Sequence, residues 1–396
     1  MKYLRFIWLM VIMVIAGACS SEKSEPVAPE NTVLMDFAQA KNGFDLTGIV
    51  DTADVSIVPL ELTDECLIGK VSRVFLRRDR IFVFDEQTQG VYAFDKTGKY
   101  LAKVQVQGGG PEEYLHASDA FVDDENIYIA DGAGWRVQLY DLNGRYVRTV
   151  KTDGWPAHGV FAAGGRIYYV NRVTHPAEGD YLLFSTDKEG KDLQKHIPFE
   201  SAWDRALTLH DPYCYGSDGH TGFFHANAED VLYRIDKNGV FPDYELDFGG
   251  MKLPAEFLDK SPSYIVKNGY RQKYILFPDY VSVSGRYVFL GANIMNDTYH
   301  IYTVIYDRVS HETTVTDNAV LPPFGSYQTD LSQAQNDYLV LVKDAYWLTS
   351  SVSSFEKYLQ EHPVILTREL TEQFRDVLSK ITENDNPVLF LYKLKE

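Results

Sequence analysis

A motif that returns after 46, 46 and 49 residues constrains this chain more than any other feature. A strand-like run leads into Asp-x-x-Gly, and a second strand-like run follows: "VYAFDKTGKYLAKV", "VQLYDLNGRYVRTV", "LLFSTDKEGKDLQKH" and "VLYRIDKNGVFPDYEL". The tetrads run from Asp95 to Gly98, Asp141 to Gly144, Asp187 to Gly190 and Asp236 to Gly239; a degenerate fifth, Asp307 to Ser310, comes 71 residues later. Aspartate at the start of a turn accepts backbone amides two residues on, and glycine at its end accepts a positive φ, so each tetrad predicts a hairpin. Ahead of each lies another run: "RIFVFD", "NIYIAD", "RIYYVN", "TGFFHAN" and "RYVFLGAN". These are apolar at consecutive positions, which a strand shows when both its faces are buried. Four antiparallel strands every 40 to 50 residues, covered on both sides, describe the blade of a β-propeller.

Five blades are expected over 71–106, 117–151, 157–197, 207–247 and 279–320. A sixth is expected from "DYLVLVKDAYWLTS" (337–350), with "YLVLV" as its inner strand, and "NPVLFLYKLKE" (386–396). That copy has no Asp-x-x-Gly turn and lacks an outer strand. The run "DVSIVPLEL" (54–62) can fill the place by pairing with 387–395. The expected fold is therefore all-β: one six-bladed β-propeller closed by its N-terminal strand on the C-terminal blade. Linkers between blades, and loops between second and third strands, emerge on one face. The long insertions 250–276, 321–336 and 350–385 all fall there, opposite short turns such as "RRDR" and "DDEN". Any binding site is expected on that loop-rich face. In the third insertion Ser353-Ser-Phe-Glu356 has the pattern of a capping box, and Leu366, Leu370, Phe374, Val377 and Ile381 form one apolar helical stripe. This small helical insertion either lies on the flank of the last blade or roofs the central channel.

Lys2 and Arg5 precede an apolar run from Phe6 to Ala16, too short to span a membrane, and Ala16-Gly17-Ala18 stands before Cys19. Residues 1–18 are thus expected to be a lipoprotein signal peptide, Cys19 the lipidated residue that ties the chain to a membrane, 19–35 a flexible tether, and 36–396 the propeller. The expected location is the outer membrane, on its periplasmic or cell-surface side. A net charge of −18 with no basic run excludes nucleic acid as a partner. Cys66 and Cys214 are either small buried side chains or, in an oxidising envelope, a pair.

The segments "VPLE", "CLIGKVSRVFLRRDRIFVFD", "VYAFDKTGKYLAKVQVQGGGPEEY" and "NPVLFLYKLK" resemble the six-bladed β-propeller lipoproteins of Bacteroidota, whose architecture is NHL-like. The resemblance covers nearly all of the mature chain and implies fold and localisation, not an activity. Members usually carry Gly-x-Gly-Pro-Gly-Glu-Tyr, and Glu112 replaces one of those glycines.

On the loop-rich face the candidate ligand-binding residues are Glu113, Tyr114, Trp135, Arg136, Trp155, His158, Arg172 and His175. Aromatic rings beside polar groups suit stacking on sugars or enclosing a peptide. Gly108, Gly109, Gly110 and Pro111 punctuate a linker. There is no P-loop, HExxH or Gly-x-Ser-x-Gly motif, and His210, His220 and His225 match no metal-site spacing, so neither cofactor nor metal is expected. These features point to a lipid-anchored binding or scaffold protein of the cell envelope, presenting one face to a glycan, peptide or protein partner. The alternative is a glycan hydrolase or lyase, which needs two carboxyls across a cleft. The inner-strand segments offer only Asp119 and Asp123 for that task.

Overall fold

The computed structural model describes residues 29, 31–152, 154–155, 157–172, 180–199, 214–225, 230–257, 260–295, 299–324, 331–363 and 365–396. Blade 1 runs outward from the axis through Val71–Arg77, Arg80–Asp85, Gly90–Asp95 and Tyr100–Val104. Blade 2 repeats the order with Ala117–Val122, Asn126–Asp131, Arg136–Asp141 and Tyr146–Lys151. Blade 3 uses Gly159–Ala163, Arg166–Val170, Tyr181–Asp187 and Gln194–Pro198. Blade 4 comprises Tyr215–Ser217, Gly222–His225, Val231–Asp236 and Gly239–Asp247. Blade 5 comprises Ile275–Val283, Tyr287–Met295, Tyr299–Asp307 and Thr313–Thr316. In blade 6, Ala334–Gln335, Tyr338–Lys343 and Val388–Leu394 are joined by Val50–Pro59. The closing pair is antiparallel, from Val388 opposite Pro59 to Tyr392 opposite Val55. The six-bladed ring is shut by the strand that the sequence supplies for it.

The repeated aspartates explain why the blades stack. Asp85, at the end of a second strand, is fully buried, and its carboxylate accepts from Gly69 N at 2.7 Å, Lys70 N at 2.9 Å and Gln87 N at 2.9 Å. Asp131 does the same for Leu115 N at 3.0 Å and Gly134 N at 2.9 Å. Each carboxylate ties the linker entering its blade to the blade's own loop, and the amides compensate its burial. The Asp-x-x-Gly turns dock on the preceding blade. Gly98 has φ 88°, and a Cβ there would stand 2.0 Å from Pro59 O; Gly144, with φ 81°, faces Lys103 O of blade 1 in the same way.

Three features differ from expectation. "YLVLV" is the second strand of blade 6, not the inner one, because the insertion before it supplies Ala334–Gln335. That two-residue strand is extended by side chains: Val74 N donates to Gln333 Oε1 at 2.7 Å, and Leu76 N to Gln335 Oε1 at 2.9 Å. Residues 31–35 belong to the folded body, not to a tether. Asn31–Leu34 pair in parallel with the outer strand of blade 4, and Val33 and Met35 are buried there. Lys41 then bridges Thr316, and Phe44–Asp45 pair with Ala319–Val320, so this segment straps blades 4 and 5 before entering blade 6. The capping box is absent: Ser353 lies inside the helix Val352–Glu361, and Glu356 instead holds Arg375 of the helix Arg368–Lys380 at 2.8 and 2.7 Å. Of the two readings open for the cysteines, the buried one holds: Cys66 and Cys214 are both buried and free, in separate core clusters. Burial pushes the Cys66 thiol up to about 11.

The apolar stripe is real, and it settles where the helices go. Leu366, Leu370, Phe374 and Val377 pack with Phe324, Phe355 and Phe390 in one cluster, with Phe324 and Phe390 ring centroids 4.7 Å apart. The helices lie against the flank of blade 6, and none of their residues lines the axial cavity described below.

Acid sensitivity is expected from blade 3. Burial, reinforced by Arg166, pulls His196 from 6.5 to about 4, while its Nε2 stays 2.8 Å from Ser185 Oγ. The folded state thus binds this proton less readily than the unfolded chain. Its stabilising contribution is complete above pH 6.5 and is lost as pH falls toward 4. Urea midpoints taken across that window should fall less steeply for His196→Gln than for the parent protein.

Candidate functional site: the axial cavity

Inner strands position the site because their free edges face the axis, where backbone groups must find partners. Side chains of neighbouring blades provide them. Val160 N of blade 3 donates to Asp119 Oδ2 of blade 2 at 3.0 Å. Ser217 Oγ of blade 4 donates to Ala162 O of blade 3 at 2.7 Å, and Ser282 Oγ of blade 5 to Leu331 O at 2.6 Å. Arg77 Nε donates to Val122 O at 2.7 Å and its Nη2 to Ser217 O at 2.9 Å, so one guanidinium bridges blades 1, 2 and 4 at the short-turn end. Burial lowers its pKa, against the opposing pull of Asp124, Asp218 and Asp123.

Nearer the loop-rich face, four blades converge on Asp119, which is 2% exposed. Tyr215 of blade 4 donates its hydroxyl to Asp119 Oδ2 at 2.6 Å, and Arg73 Nε of blade 1 lies 3.2 Å from Oδ1. The Arg73 guanidinium covers the Tyr215 ring at 4.4 Å; that of Arg172 approaches the same ring at 5.4 Å and donates to the Tyr215 hydroxyl. Arg172 N in turn donates to His158 Nδ1 at 3.2 Å. Burial, then the Arg172 charge, lowers the His158 pKa, which suits a ring nitrogen that accepts.

The rest of the axis is hollow. A cavity of about 1080 Å³ is walled by blades 1, 4, 5 and 6, with Ser72, Arg73, Tyr215, Thr221, Thr303 and Gln333 among its lining. Lys70 pairs with Glu86, Arg234 with Asp236, and Arg308 Nε donates to Tyr244 Oη at 3.0 Å. Its mixed walls can hold a polar ligand with apolar faces.

The predicted candidates divide. His158 and Arg172 join the Asp119 network. Tyr114 is fully buried, its hydroxyl donating to Gln89 O at 2.5 Å, and wedges blade 1 against blade 2. Glu113 folds back on its own linker, accepting from Gly110 N at 2.8 Å, and a Cβ at Gly108 would stand 2.0 Å from that carboxylate. None of Gly108, Gly109 and Gly110 has a left-handed φ, and a side chain at Gly108 would have to displace the Glu113 carboxylate. Arg136 Nε donates to Asp131 at 2.9 Å. Trp155 packs on Phe184 with Lys195 4.3 Å above its ring. Trp135 is 48% exposed with φ 53°, but Gln89 at the matching place in blade 1 has φ 54°, so the conformation belongs to the blade turn. His175 and Cys19 lie outside the described residues.

Sequence reasoning missed Arg73, Tyr215, Thr221, Thr303 and Gln333. An arginine in the middle of the inner strand "VSRVFLR", ahead of the apolar Val74, Phe75 and Leu76, was the available signal. Asp123 accepts from Glu125 N at 2.8 Å, Asn126 N at 2.7 Å and the Tyr128 hydroxyl at 2.8 Å. Both acids that the sequence offered for catalysis are thus committed to the fold, whereas Asp279, on the inner strand of blade 5, lines the cavity together with Glu86, Asp218, Asp243 and Asp337.

A closed propeller with an axial pocket defines the class of protein. The chain belongs to the family described as a domain of unknown function, DUF4934, whose model matches residues 36–393. Among solved structures it is similar to a protein of Bacteroides fragilis NCTC 9343, described as exported. The two are 18% identical over 87% of this chain and 95% of that one, with a TM-score of 0.66. A DUF4221 member from Bacteroides vulgatus ATCC 8482 is 9% identical, with 87% and 97% coverage and a TM-score of 0.49. No curated protein matches the sequence.

Proposed function

We propose that this is a lipid-anchored binding protein of the cell envelope that receives a glycan, a peptide or a segment of a partner protein in its axial cavity. The observation that carries the reading is the cavity of about 1080 Å³, whose walls combine inner-strand residues of blades 1, 4, 5 and 6 with residues of the further strands of blades 4 and 5, such as Tyr233, Tyr244 and Thr303. Binding is favoured over glycan hydrolysis or elimination to the extent that Asp119 and Asp123, the two acids the sequence offered for that chemistry, are held by protein donors. The envelope address is supported by the Lys2 to Cys19 pattern and by the similar Bacteroides protein described as exported. Cells fed a clickable fatty acid should label the chain, Cys19→Ser should abolish the label, and the labelled protein should fractionate with outer membranes. An unlabelled parent chain would refute the anchor.

A further inference from the structure

We infer that the axial cavity takes a short, uncharged oligosaccharide; this rests on the binding reading above and names its ligand class. Each ammonium or guanidinium lining the cavity is already engaged. Lys70 meets Glu86, Arg73 meets Asp119, Arg234 meets Asp236, and Arg308 donates to Tyr244 Oη and, at 3.1 Å, to Gly285 O. An anionic ligand would have to break one of these pairs inside a partly desolvated channel, at a cost that its new contacts must first repay.

A peptide is disfavoured for a different reason. Extended peptides bind channels of strands by adding to a free strand edge. Here the inner edges of blades 1 and 3 are occupied: Val74 N, Leu76 N, Val160 N and Ala162 O are all bonded to side chains of neighbouring blades. What remains is the chemistry that sugars use. Gln333 spends its Oε1 on Val74 N and keeps its amide Nε2 as a donor. Thr221 and Thr303 bring hydroxyls that can donate or accept, and the half-buried rings of Phe223 and Tyr233 offer faces for the C–H side of a pyranose. The volume of about 1080 Å³ sits at the upper end of small-ligand sites, room for several sugar rings.

The test uses the full chain in detergent and calorimetric titration with maltotriose, cellotriose, xylotriose, mannotriose and chitotriose. At least one should bind, with an affinity that stays constant between about 50 and 500 mM NaCl, as an uncharged ligand requires. Thr221→Trp should abolish that binding without lowering the melting temperature, because Thr221 is exposed and the indole enters the cavity. Thr303→Val, which keeps the volume and removes a hydroxyl, should weaken binding about fivefold. Failure of all five sugars at about 10 mM overturns the proposal. A uronic-acid trisaccharide or a peptide that binds in a salt-dependent way, and is blocked by Thr221→Trp, would overturn the ligand class and leave the cavity reading standing. Binding that is indifferent to Thr221→Trp would overturn both.

Discussion

Gly98→Val is expected to lower the unfolding free energy by roughly 3–5 kcal/mol, whereas Gly109→Val should stay within about 0.5 kcal/mol of the parent. Gly98 has φ 88°, and a left-handed backbone costs a branched residue about 1–2 kcal/mol or more. The second penalty is steric. A Cβ at Gly98 would stand 2.0 Å from the carbonyl oxygen of Pro59, and Glu61 N donates to Gly98 O at 2.8 Å. Pro59 ends the strand that closes the ring, so the turn cannot retreat without loosening the closure. Gly109 has open space where its Cβ would be and no left-handed φ. Urea titrations read by far-UV circular dichroism separate the cases: the midpoint should drop for Gly98→Val with the slope unchanged. Equal stability of the two variants would show that the turn does not brace the closing strand.

Blade number and closure were legible because they rest on local patterns. Runs such as Ile81 to Phe84 are buried at every position, and only a strand sandwiched between sheets needs that. The sixth inner strand was not legible. Two residues leave no periodicity, and the missing ladder is replaced by Gln333 and Gln335 side chains whose partners are more than 250 residues away. The strap over 31–49 escaped for a similar reason: its pairing with residues 244–247 is parallel, distant, and announced only by scattered apolar side chains. Within the site, the residue types were visible and their directions were not. Tyr114 in a linker looks like a rim aromatic until its ring is found between two blades, whereas the next acid along, Asp119, was visible as an acid within an inner strand.

Removing that acid tests what the centre of the molecule is for. Asp119→Leu is expected to destabilise the protein by about 3–5 kcal/mol, since it strands the buried Arg73 guanidinium without its counter-charge. It also withdraws the acceptor of Val160 N and of the Tyr215 hydroxyl. Arg73→Met combined with Asp119→Leu should recover about 2 kcal/mol of that loss, because the uncompensated charge is gone and only neutral donors remain unmet. The coupling energy of the double-mutant cycle, measured from urea midpoints, reports the pair directly. The sign also separates the two functional readings. A carboxylate held ready for catalysis is strained or poorly neutralised, and replacing it tends to leave stability unchanged or raise it. A carboxylate bonded to three blades at once must do the opposite, so a stabilising Asp119→Leu would restore the hydrolase or lyase to consideration.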